Sequence, residues 1–169
     1  MKNIAFILSF FFISMSLNAQ NAVNTLFQKY TNDTKFTSVH ITEHLFGLLE
    51  GVEVEDAGDQ SIVELAKGLK ELIVLSTEEN GVALFEEAAQ KINTAAYKQI
   101  MSVRDQEENV RIFIKEENKT ISELLVLVGS PDEFVLVNLV GVIDLKKIAQ
   151  LARKADVKGL EHLEKVNGN

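Results

Sequence analysis

The chain has 169 residues, 46% of them hydrophobic and 25% charged, which suits about one globular domain. Nine glycines, one proline and no cysteine exclude a collagen, a disordered tail and a disulfide scaffold. Seventeen basic against 25 acidic residues give a net charge of −8, which makes nucleic acid a poor partner because phosphate binding needs surplus Lys and Arg.

Met1-Lys2 is a short positive start, Ile4 to Ile13 an apolar run, and Ser14 to Ala19 a small, polar close. That order predicts a cleaved signal peptide over 1–19, with the cut between Ala19 and Gln20, and a single domain over 20–169. The apolar run is about half the roughly 20 residues a membrane helix needs. With no cysteine there is no lipid attachment through that residue. Loss of Lys2 leaves 16 basic against 25 acidic residues, a net charge of −9. Leu124 to Ile143, the longest apolar region, is interrupted at Gly129-Ser130-Pro131-Asp132-Glu133, so no transmembrane segment is expected after cleavage. The expectation is an exported protein, periplasmic or secreted and soluble.

Val23, Leu26, Phe27 and Tyr30 predict an amphipathic helix over 21–31. Phe36 to Ile41 suits a short strand, after which Thr42 is placed to cap a helix with Leu45, Leu48 and Leu49 inward. Glu50 to Asp59 reads as an acidic connection. Ser61-Ile62-Val63-Glu64 matches a capping box, opening a helix with Ile62, Leu65, Ala66 and Leu69 on its apolar stripe. Leu72 to Leu75 reads as a strand. A second capping box, Ser76 to Glu79, starts a helix running to about Ala95 with Val82, Phe85, Ala89 and Ile92 inward. The period then becomes two: Tyr97–Val103, Val110–Lys115, Ile121–Val128 and Phe134–Val142 are four strands whose short connections favour antiparallel neighbours. Asp144 caps a helix with Leu145, Ile148, Ala149 and Ala152 inward, and Val157, Leu160 and Leu163 suggest a last short one. The fold class is α+β: one domain with a mainly antiparallel five- or six-stranded sheet, helices on one face and further helices partly covering the other. Leu124–Val128 and Phe134–Val137 are apolar on both faces and need cover on both, from helices, a second subunit or a ligand.

No constellation singles out a catalytic, cofactor-binding or metal site. His40-Ile41-Thr42-Glu43-His44 spells the inverted zinc-protease pattern, with Glu116 or Glu123 as a nominal third ligand. Its context fails, because His40 belongs to the strand and only His44 to the helix, whereas the chemistry needs both imidazoles on one helix face. Glu50, Glu53, Glu55, Asp56 and Asp59 lack the spacing of a calcium loop. There is no G-x-S-x-G elbow and no phosphate loop, and His162 lies in the C-terminal helix. Asn138 is a polar amide in an apolar strand, and must be hydrogen-bonded if buried. Gly141 in the same strand marks a bulge or a close backbone approach.

Tyr97–Val103, Glu123–Gly129, Glu133–Val137 and Gly141–Leu145, with Ile148 and Leu151-Ala152, form a strand-turn-strand-helix run. In order and spacing it resembles a family of small exported Bacteroidota proteins with a domain of unknown function, over roughly residues 22–165. The resemblance implies an envelope or secreted protein, in some cases encoded near extracytoplasmic sigma-factor systems, although the lipid-attachment cysteine of many members does not occur here. It carries over no catalytic residue; Gly141 and Asp144 match its closing motif as backbone fit and helix cap. The function expected is a non-enzymatic binding or interaction module of the periplasm or cell envelope without a cofactor, its partner an envelope protein or a small ligand, with a homodimer admitted. A carrier of a small apolar ligand and a hydrolase with an unrecognised carboxylate site are the alternatives.

Overall fold

The computed structural model of the protein describes residues 21–48, 57–92 and 96–149. In chain order these form α1 (Asn21–Tyr30), β1 (Thr37–Thr42), α2 (Glu43–Leu48), α3 (Ala57–Ala66), β2 (Leu69–Thr77) and α4 (Gly81–Lys91). Then come β3 (Lys98–Arg104), β4 (Asn109–Glu117), β5 (Thr120–Gly129) and β6 (Phe134–Ile143). A fifth helical stretch begins at 145–149. The six strands make one antiparallel sheet in the order β1-β2-β6-β5-β4-β3.

Apolar patterning explains that order. β5 and β6 are apolar on both sides, so they take central places, where Leu124, Leu125, Val126 and Leu127 are fully buried. β1 and β3 alternate weakly and form the two edges. On one face Val110, Ile112, Leu124, Val126, Val137 and Leu139 pack with Phe46 of α2, Ala66 of α3, and Ile148 and Ala149. On the other, Ile73, Leu75, Phe113, Leu125, Leu127 and Leu136 pack with Val23 and Leu26 of α1 and Phe85 and Ala88 of α4. The two-sided strands therefore have helices on both sides.

Turn chemistry fixes the hairpins. Asn118 and Lys119 both have positive φ (53° and 66°) between Glu117 and Thr120, as a two-residue type I′ hairpin requires. Gly141 has φ 144°, and a Cβ there would lie 2.7 Å from Leu69 Cα, so the expected close approach is real. The register of β2 against β6 shifts at the same place, between Leu69 and Glu71. Asp144 Oδ1 accepts from the backbone N–H of Lys146 (2.9 Å) and Lys147 (3.3 Å), the cap its position predicted.

Several local expectations need correction. The Ser61 box does not open α3, which already runs from Ala57; Leu69 is the first residue of β2, not part of a helical stripe. The Ser76 box is unused because Ser76 and Thr77 are drawn into β2 by pairing with Val135 and Phe134. Asn80, in the left-handed region without a side-chain cap bond, precedes α4 instead. α4 ends at Lys91 rather than near Ala95; Phe85 and Ile92 are buried as expected, but Ala88 is fully buried and Val82 is exposed. In α2 the buried side chain is Phe46; Leu45 and Leu48 face outward. A six-residue helix has room for one anchor, and the aromatic ring buries more apolar area than either leucine. Leu49, most of the acidic connection, Ala152 and the last expected helix lie outside the described residues, as do the signal segment and His162.

Candidate functional site

Among the described residues, buried side chains hydrogen-bond to one another at Glu123. Glu123 follows a register irregularity in β5 and shares the α1–α4 side with Leu125 and Leu127. Its Oε1 accepts two hydrogen bonds, from Tyr97 Oη at 2.6 Å and from Asn138 Nδ2 at 2.8 Å. Tyr97, Glu123 and Asn138 are 5%, 7% and 2% exposed. Burial, reinforced by the hydrogen bond to Glu123, holds the Tyr97 phenol far above its ordinary range, so it stays a donor. The cluster satisfies the amide at Asn138 with protein atoms and ties the entry of β3 to β5 and β6. So little of the carboxylate reaches the surface that its two bonds serve the architecture first.

The two histidines of the HITEH run are separated as their elements dictate. His40 lies on β1, where Nε2 is 2.8 Å from Glu71 Oε1 and the ring meets Phe27 edge-on at 5.4 Å. His44 is in α2. Glu116 is paired with Lys98, and Glu123 is committed as above. Among the described residues no group of three or more His, Cys, Asp or Glu is placed to hold a metal ion.

Two surface regions remain. A polar cleft is lined by Lys35, Thr37, Ser76, Thr77, Glu78, Glu79 and Glu133, with Lys35 and Glu79 paired across it at 2.7 Å. The second lies at the β1–α2 margin of the sheet. There Val39 of β1 is 39%, and Leu45 and Leu48 of α2 are 47% and 66% exposed, and β1 has no Lys, Arg, Asp or Glu. Among the described residues β1 is also an outermost strand, with no strand paired to its outer side.

Residues 30–151 match a family described as "Domain of unknown function (DUF4252)". The chain belongs to that family. No curated protein and no solved structure matches the chain. The DUF4252 match covers the whole sheet and the helices α2, α3 and α4, with α1 only at its last residue, so both regions above lie within it.

The buried bonds of Tyr97 and Glu123 escaped the sequence reading, although Asn138 did not. The available signal was the acid itself. On a strand apolar on both sides, Glu123 shares a face with Leu125 and Leu127, and a buried carboxylate there needs donors just as Asn138 needs an acceptor.

Proposed function

We propose that this DUF4252 protein is an exported, non-enzymatic interaction module of a Bacteroidota cell envelope, docking another protein chain at its β1–α2 margin in the course of envelope signalling. The observation that carries the reading is exposed Val39 on an edge strand without Lys, Arg, Asp or Glu, followed directly by a helix with Leu45 and Leu48 exposed. Apolar side chains grouped beside an open strand edge mark docking surfaces more often than catalytic ones. The signal-like N-terminal segment and the resemblance to exported proteins support the setting. The interior supports the rest of the reading, since the carboxylate within it already accepts from Tyr97 and Asn138.

A loss-of-function scan in the native host tests this. Substitutions that abolish function while leaving the protein folded are expected on Val39, Leu45, Leu48 and their neighbours. Inactivating positions gathered instead around the Lys35–Glu133 cleft, or a turnover abolished by one Asp or Glu change, would overturn it.

A further inference from the structure

We infer that the partner at this margin is a second copy of the chain, joined through antiparallel pairing of the two β1 strands about Val39. The inference rests on the docking reading above and names its occupant.

The two edges of the sheet differ in the protection they carry. β3 has a register break between Gln99 and Met101, and Lys98 and Arg104 at its ends, both devices that discourage strand addition. β1 has none of them. Thr37 to Thr42 pair with β2 in unbroken register, without Lys, Arg, Asp, Glu, proline or glycine. A continuous edge of this kind is a template for another strand.

The chemistry of β1 selects its own sequence as that strand. Residues directly opposite in an antiparallel pair share a face, so self-pairing must set odd positions against odd ones. Centred on Val39, it places Val39 against Val39 and Thr37 against Ile41 on the α2 face. On the other face it sets Ser38 against His40, a hydroxyl against an imidazole, and avoids opposing two histidines. β-branched pairs of this kind stabilise a sheet, and no like charges meet. Each exported copy carries a net charge of −9, so a strand without Lys, Arg, Asp or Glu is where two copies approach at least electrostatic cost.

The helices extend the contact. A two-fold axis normal to the sheet keeps both α2 helices on one side, where Phe46 already anchors each. A strand pair alone falls short of the roughly 1,200 Å² of a stable interface, so the contact has to extend onto the exposed apolar surface that α2 adds at the end of β1.

The cysteine-free chain makes the test direct. Multi-angle light scattering of the purified protein is expected to give about two chain masses, falling to one for Val39→Lys but not for Val82→Lys on α4; circular dichroism checks that both variants fold. Val39→Cys, which supplies the only thiol, should form a disulfide between copies on mild oxidation, since opposed Cα atoms at about 4.5–5.5 Å suit the bond. Ser102→Cys on β3 should not. A single chain mass for the parent protein overturns the inference, as does a dimer that survives Val39→Lys or a Val39→Cys variant that fails to cross-link. A monomer whose loss-of-function positions still map to Val39, Leu45 and Leu48 overturns the self-partner alone. Function lost at a polar cleft instead overturns the docking reading itself.

Discussion

Replacing Glu123 with alanine removes the acceptor for two buried donors, Tyr97 Oη and Asn138 Nδ2, at 2.6 and 2.8 Å. An unsatisfied buried polar group costs about 1–3 kcal/mol, so two donors without an acceptor cost about 2–6 kcal/mol. Against a typical stability of about 5–15 kcal/mol, that is a large part of the whole. For a chain of this size a loss of about 3 kcal/mol lowers the melting temperature by roughly 6–12 °C. Glu123→Gln keeps a carbonyl oxygen in the same place and should cost about half as much or less. The triple variant Tyr97→Phe, Glu123→Leu, Asn138→Leu removes donors and acceptor together, and should be more stable than Glu123→Ala. Urea melts followed by far-ultraviolet circular dichroism read all three. A Glu123→Ala loss under about 0.5 kcal/mol, or a triple variant no more stable than Glu123→Ala, would refute the claim that satisfied donors hold this part of the sheet together.

Other expectations test separate parts of the structure. Glu87 on α4 accepts from Lys29 Nζ and Tyr30 Oη of α1 and from Lys91 Nζ, and the hydrogen bonds from Lys29 and then Lys91 hold its carboxyl down at about 2. Because its folded value is depressed, its contribution is full above about 4.5 and is lost as pH falls toward about 2. After allowance for solvent screening, Glu87→Gln should cost about 1 kcal/mol at pH 7 and almost nothing near pH 2, as acid-titrated melts would show. Gly141→Ala forces a Cβ against Gly68 and Leu69 at a positive φ, and should cost about 2 kcal/mol or more, while Val142→Lys on the exposed neighbour should stay within about 0.5 kcal/mol in the same urea melts. Asp144→Ala removes the cap on Lys146 and Lys147 and should cost about 1 kcal/mol, whereas Asp144→Asn or Asp144→Ser should recover most of it on melting.

The margin of the sheet shows how local pattern and final burial part company. Leu45, Leu48 and Val82 sit at helical spacings that point inward on a sequence stripe, yet all three are exposed. Periodicity states which residues share a side of a helix but not which side meets the sheet. In α2 that choice went to Phe46, whose ring buries more apolar surface at the helix-sheet contact; in α4 the expected side does meet the sheet, through Phe85 and Ile92, and only Val82 in the first turn is left exposed. The capping boxes at Ser61 and Ser76 likewise lost to longer-range order. Residues 57–60 continue α3 upstream of Ser61, and strand pairing with β6 absorbed Ser76 and Thr77.

What the sequence determines by itself is therefore the part with local physics: the strands after Tyr97, the Asp144 cap, the special backbone at Gly141, and the α+β class. A period of two, a capping oxygen and a residue without Cβ act within a few positions of themselves. Tertiary structure decided the order in which strands pair, the meeting of Tyr97, Glu123 and Asn138, and the outward turn of Leu45 and Leu48 beside an open β1. These depend on residues far apart in the chain, 15 from Glu123 to Asn138, 41 from Tyr97 to Asn138 and 72 from Leu69 to Gly141, or on competition between faces of one helix. Such contacts become visible only once the sheet sets which face each strand shares with its neighbours.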